Sequence, residues 1–449
     1  MTTTNLGGVF MTDTDGNMPS VATSSTENVC GLIIDTSDFG GIQEALTEST
    51  EAQTTYADGN VVELNSLTDL TDTGITSGVM SGLPYYHVKT FFALAGSGAR
   101  LFLAFGDFST DTELTIISKM QYASGGIIYQ IGVWTTNALC DSSYNIISGG
   151  ILSKCQSQAE VIGGKVGVTN YEGNSPAVVL VQAPLISAEE CDYTLLPDIS
   201  TLGMEKVACL LGQAATEEVR EVQLELHSHT GNYPVTGCIG AALGVLAQAP
   251  ANKSIGWTGA YNLAAVIAQA DLGFGKLTTE GDTWAADADF TSIKKLTYQQ
   301  RNTCLHKKGY IFPTNYDGIE NATFFSCDQT LDCQSDYRSL ARCRVMFKSR
   351  RAVRAALLPW VNDDWNVDAK TGCLATADIQ MIKNTVLEAI DKNMKEPVSK
   401  ASQISGRAVF IDPDQNILEN DALEISYRLV PKGVSMGIYV TEGFTNSIE

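Results

Sequence analysis

Between Val29 and Leu211, short apolar runs alternate with segments of helix length, and this rhythm restricts the fold more than any motif does. Val29–Asp35, Arg100–Phe105, Ile127–Thr135, Ala177–Ala183 and Lys206–Leu211 read as strands, and Arg100–Phe105 in particular suits a buried one. Pro84–Leu94 (ending at Gly96), Thr112–Ala123 and Leu152–Ile162 read as the helices among them. That order predicts an α/β fold, with mixed β-sheets flanked by helices. Thr236–Ala249 predicts a further helix, stopped before Pro250. Its Gly and Ala content predicts close backbone packing at some loss of helix propensity.

The last third is as strongly patterned. Ser335–Leu358 predicts a basic helix halted at Pro359, since proline lacks the amide that continues a helix. Thr376–Met394 predicts a second helix with Thr376 as N-cap and Ile379, Ile382, Val386, Ile390 and Met394 on one face. Strands are expected through 405–413, 423–431 and 437–444. In the second, Leu423, Ile425, Tyr427 and Leu429 alternate with Glu424, Ser426, Arg428 and Val430, so one face is buried and the other largely wet. The chain then ends in strand-forming sequence with nothing after it to cover an edge, a pattern that calls for a neighbour. Residues 1–25, rich in Thr, Ser, Gly and Asn with one apolar cluster at Leu6–Met11, read as an extended arm.

Composition narrows the partners. Of 449 residues, 44% are apolar and 18% charged, as in weakly charged globular proteins, yet the net charge is −22. No Lys or Arg precedes Lys89, and basic residues concentrate from Lys294 to Arg354. Such an excess of carboxylates argues against nucleic acid or an anionic membrane surface as partner. The start, Met-Thr-Thr-Thr-Asn, has neither the basic nor the apolar region of a secretory signal. The longest apolar run, Ile239–Ala247, falls far short of the roughly 20 residues that span a bilayer. Eleven cysteines without a CxxC pair fit reduced thiols, and assembly in a cytoplasm is expected.

Readings that would make an enzyme fail one at a time. Gly96-Ser97-Gly98 lacks the third glycine of a dinucleotide turn, Leu101 standing there. Gly273-Phe274-Gly275-Lys276 is followed by Leu277 rather than Ser or Thr, and Ala270 replaces the upstream glycine of a phosphate loop. His227 and His229, on an expected strand, would share a face and form the best ligand pair, but no third ligand stands at a recognisable spacing. Cys327 and Cys333 suit a core better than a metal ribbon, and no GxSxG elbow is present. No catalytic residue, cofactor or metal is assigned. The strongest charged feature is the helix bearing Arg338, Arg342, Arg344, Lys348, Arg350, Arg351 and Arg354, which is a solvated face, a surface for an acidic protein or, as a third and weaker option, one for nucleic acid.

A succession of segments resembles the contractile tail sheath proteins. These are Lys308–Gly318, Asp336-Tyr337 with the Arg-rich helix after it, Gly372-Cys373-Leu374, Val409–Asn416, Leu429–Gly433 and Ile438-Tyr439-Val440. Ala242–Ala247 followed by Lys253-Ser254-Ile255-Gly256 is similar too. Coverage runs from about 236 to the end, and among sheaths the chain looks most like the divergent branch of phages and phage-like injection particles.

The resemblance implies a non-enzymatic subunit of a virion tail or injection particle, stacked as hexameric rings around an inner tube, with baseplate and tail terminator proteins at the ends. It also implies terminal arms that add strands to neighbouring subunits: Leu6, Val9 and Phe10 at one end, Ile438, Tyr439, Val440 and Phe444 at the other. Each arm would gain about five to seven backbone hydrogen bonds at a net ~1 kcal/mol apiece, before ordering costs. The implied division is an arm at 1–25, an α/β region at 26–289, a core domain at 290–436 and an arm at 437–449. The basic helix becomes the candidate tube-facing surface, an assignment from charge alone. Rival classes are another self-assembling particle protein, such as a tail tube or capsid, and an α/β enzyme centred on His227 and His229.

Overall fold

The computed structural model describes residues 11–12, 27–46, 49–77, 82–96, 98–165, 169–170, 174–185, 192–230, 235–268, 272–274, 291–292, 296–396, 399–438 and 440. Its centre is a seven-stranded sheet built from β1 (Val29–Asp35), β2 (Val62–Leu64), β3 (Arg100–Gly106), β4 (Gln130–Trp134), β5 (Val178–Gln182), β6 (Val207–Leu210) and β7 (Tyr310–Ile311). The spatial order is β7-β6-β5-β4-β1-β3-β2. Every pairing is parallel except that of the edge strand β2 with β3. β1, β4, β5 and β6 are buried along their whole length, as expected when both faces are covered. β7 comes from beyond residue 290, so the sheet takes strands from both sides of the expected division there.

The two covering layers follow from the pleat. Gly31 of β1 lies against Met120 of helix α2 (Ile116–Ala123), which packs with α3 (Ile151–Gly163) on one face. Gly132 of β4 points the other way, against Ile239 and Leu243 of helix α5 (Ile239–Gln248). Helix α1 (Gly82–Leu94) backs α5, and the small-residue expectation holds. A Cβ on Gly240 would meet the His87 carbonyl oxygen at 2.2 Å, and one on Gly244 would meet the Phe91 carbonyl oxygen at 2.7 Å. Two helices touch backbone to backbone there because glycine leaves room.

One expectation is overturned. His227 and His229 lie on helix α4 (Glu217–Thr230), not on a strand. Val222, Leu224 and Leu226 imitate strand alternation, yet the buried set Val219, Val222, Gln223 and Leu226 has helical spacing. Ten cysteines are free among the described residues. Burial pushes the Cys30 and Cys327 thiols up to about 12 and Cys140 to about 11, whereas Cys333 is exposed. A thiol reagent should therefore label native protein first at Cys333 and reach Cys30 only on unfolding. Equal labelling rates at the two positions would contradict a closed central strand. No helix among the described residues is long and apolar enough to cross a membrane.

The C-terminal module comprises helix α6 (Leu340–Leu357), helix α7 (Thr376–Asn393) and a hairpin of β8 (Ile404–Phe410) and β9 (Ser426–Pro431). α6 starts later than the sequence suggests. Ser339 is its cap, its hydroxyl accepting from the Arg342 amide at 3.3 Å, and a 3-10 turn carrying Pro359 follows the helix. Thr376 is the first helical residue of α7 and Ala375 the N-cap, so that cap has no side-chain acceptor. The apolar face of α7 is as expected, with Val386, Ile390 and Met394 packed under Ile404 and Leu429 and Ile379 and Ile382 under Ile411. The alternation through 423–430 holds as well, its even-numbered residues being exposed.

Candidate functional site

Open α/β sheets usually bind ligands beyond the C-terminal ends of their strands, where the strand order reverses. Here that point lies between β1 and β4, and Asp35 occupies it. Its carboxylate accepts from the Ser37 amide (2.9 Å), the Phe108 amide (3.3 Å), the Thr135 hydroxyl (2.5 Å) and the Asn137 side-chain amide (2.9 Å). Burial raises its pKa, and the Thr135, Ser37 and Phe108 donors oppose the rise. The group knits the strand ends together.

The basic helix lies at the opposite, N-terminal ends of the central strands, and the expectation of one outward basic face is corrected there. Arg344, Lys348 and Arg350 are buried. The Arg344 guanidinium donates to the Leu246 and Ala249 carbonyls, both at 2.8 Å, at the C-terminal end of α5. Arg350 donates to the Gly163 carbonyl at the end of α3. Arg351 donates to the Ile128 (2.7 Å) and Pro176 (2.9 Å) carbonyls ahead of β4 and β5, with its guanidinium carbon 4.0 Å from the Tyr129 ring centre. Helix ends present unpaired carbonyls and partial negative charge, so α6 acts as a row of cations under the sheet. Arg342 and Arg354 are half-buried and Arg338 is exposed.

Lys348 makes a different contact. Its ammonium pairs with the buried carboxylate of Glu27 and donates to the Gln403 side-chain oxygen at 2.7 Å. Gln403 returns an amide donor to Glu27 at 3.1 Å, and the Ala251 amide donates to the same carboxylate at 2.7 Å. Burial lowers the Lys348 pKa, and Glu27 acts against that shift. Glu27 stands two residues before β1 and Gln403 immediately precedes β8, so one buried joint ties the roots of the central sheet and the hairpin to α6. Reading the sequence missed Glu27 and Gln403. The Glu27–Lys348 contact spans 321 positions and the Glu27–Gln403 contact 376, leaving no local pattern to read.

The hairpin itself is open. β8 and β9 pair antiparallel, from Ile404 opposite Pro431 to Phe410 opposite Ser426, and no third strand joins them among the described residues. One face packs on α7, and among the described residues the sheet has these two strands alone. An isolated two-stranded ribbon is marginal in water, so the packing against α7 carries it. Beyond β9, Val434, Met436, Ile438 and Val440 alternate at exposures of 52%, 63%, 84% and 81%. Four apolar side chains at strand spacing thus stand exposed just past the hairpin. Leu6, Val9, Phe10, Tyr439 and Phe444 lie outside the described residues, while Met11–Thr12 pairs antiparallel with Thr169–Asn170.

Comparison with known proteins places this geometry. Residues 336–449, which include the whole C-terminal module, match the family model described as DUF2586, C-terminal domain. No curated protein matches the chain. Among solved structures it is similar to a chain of the PVC sheath complex of an extracellular contractile injection system in the contracted state. That match has 12% identity and a TM-score of 0.52, over 100% of this chain and 99% of that one. It is likewise similar to a chain of the anti-feeding prophage (AFP) baseplate, 6-fold symmetrised, with 12% identity and a TM-score of 0.51 over 99% and 100%. At that identity the likeness is one of fold, and the chain has the sheath-like α/β fold that its sequence resembles.

Proposed function

We propose that this chain is the structural subunit of a contractile sheath, whose copies stack as hexameric rings around an inner tube and shorten together to drive it through a cell envelope. The observation that carries the reading is the end-to-end likeness to a chain of a contractile sheath complex. The hairpin supports it independently: it has two strands among the described residues, and the exposed apolar residues after β9 suit strand addition to another copy. In this scheme residues 1–25 and 437–449 are the connecting arms, 26–289 together with β7 forms the α/β region and the rest of 290–436 the core domain. Baseplate and terminator proteins engage the two ends of the stack. Contraction requires no nucleotide. A lattice trapped in its long form releases a few kcal/mol per subunit as all convert together.

Purified chain viewed by electron microscopy should form long hollow cylinders with helical striations. Closed shells, or monodisperse subunits at every concentration, would exclude the sheath.

A further inference from the structure

Lys348, Glu27 and Gln403 bring an amine, a carboxyl group and a primary amide into mutual contact, and those are the parts of an amide-exchange reaction. The three side chains are 1%, 3% and 0% exposed. They come from distant parts of the chain: the middle of α6, the approach to β1 and the root of β8. Ala251, Met394 and Ile404, members of one apolar cluster, adjoin them. The Ala251 amide donates to Glu27, the Gln403 main-chain amide donates to the Met394 carbonyl at 2.8 Å, and Ile404 follows Gln403 in the chain. Bulk water is shut out.

The neighbours of Gln403 dictate its orientation. Its side-chain oxygen faces the Lys348 ammonium at 2.7 Å, and its nitrogen faces the two Glu27 oxygens at 3.1 and 3.3 Å. The reverse orientation would set amide donors against an ammonium. The carbonyl of the amide therefore meets the amine, and its leaving nitrogen meets the carboxyl group. Glu27 touches both nitrogens, which is where a general acid–base must stand.

We propose that this joint is a covalent cross-linking site, where Lys348 and Gln403 become joined as an isopeptide with Glu27 as the catalyst and ammonia as the product. The step balances without a further reactant. A proton passes from Lys348 Nζ to Glu27, and the neutral amine attacks Gln403 Cδ to form the new C–N bond. Glu27 then protonates Gln403 Nε2 and takes a second proton from Nζ, and the bond from Cδ to Nε2 breaks as ammonia leaves. Burial favours the neutral amine by lowering the Lys348 pKa, against the pull of Glu27. Holding amine and carbonyl in contact replaces the encounter that makes amide exchange slow between free molecules. The product holds a neutral amide and a neutral carboxylic acid where two charges were buried, so the desolvation cost of the pair is relieved.

The bond spans 55 positions, encloses α7 and fixes the root of the hairpin to α6. A two-stranded ribbon carried by packing on one helix thereby gains an anchor that does not fray. The bond forms within one chain, so it requires no partner copy and is independent of any assembly.

The test is intact mass spectrometry of the full chain, kept folded until its mass is constant and then denatured, beside Gln403→Leu and Glu27→Gln. Gln403→Leu removes the group under attack and leaves the Lys348–Glu27 pair in place. Wild-type chain is expected to be lighter than its sequence by one ammonia and to yield a branched tryptic peptide joining Lys348 to Gln403. Both variants are expected at their full sequence masses. Wild-type chain at full mass would overturn the proposal and leave a plain buried ion pair. Ammonia loss that persists in Gln403→Leu would overturn it too, by placing the loss at another residue. A branched peptide from Glu27→Gln would remove Glu27 from the role of catalyst.

Discussion

Lys348→Met should destabilise the subunit by about 3–5 kcal/mol, because it leaves the Glu27 carboxylate buried without its counter-charge. The Gln403 amide and the Ala251 amide still donate to that carboxylate, but two neutral donors do not replace an ammonium. Glu27→Gln should cost a similar amount by stranding the ammonium instead. The double variant should lose less than the sum of the two, since no uncompensated charge then remains. Urea denaturation of the four proteins measures this coupling directly. Single changes worth under about 1 kcal/mol would mean that the joint is open to water in solution. The consequence reaches beyond stability. The joint sits where the chain enters β1 and where it enters the hairpin, so a subunit without it should hold its two roots less firmly against each other.

Gly240→Val should be as damaging, at about 3 kcal/mol or more, the upper end of what overpacking does. The added side chain would start 2.2 Å from the His87 carbonyl oxygen and 2.5 Å from the Thr90 hydroxyl, and backbone cannot rotate aside as a side chain can. Helices α1 and α5 would have to separate, lifting α5 from the face of the central sheet. Gly433→Ala is the matched control, since nothing lies within 4 Å of its Cβ position, and it should change stability by no more than about 0.5 kcal/mol. Equal melting temperatures for Gly240→Val and the control would contradict the close helix crossing.

These two sites mark what the sequence could and could not convey. The Gly and Ala run of α5 announces a close packing partner, although not that the partner is α1. The sheet strands are legible because burial on both faces leaves near-continuous apolar runs at Val29–Asp35 and Val178–Gln182. The face of α7 is legible because Ile379, Ile382, Val386 and Ile390 recur at helical spacing. Charge on α6 misleads for a physical reason. A row of arginines reads as surface because burying a cation is costly, and the carbonyls that offset the cost come from residues 98, 187 and 223 positions away. No local pattern records them. Helix α4 went astray because alternation over a few residues fits either period.

The exposed segment after β9 bears the account's central claim, that this chain is completed by another copy of itself. Residues 437–449 should therefore be deleted and two properties measured on the same sample: melting temperature, and polymer formation by electron microscopy. The account predicts a subunit that melts within a few degrees of the full chain and no longer assembles. A deletion that unfolds the subunit would show that the segment belongs to its own core, and one that still builds cylinders would show that the connection lies elsewhere.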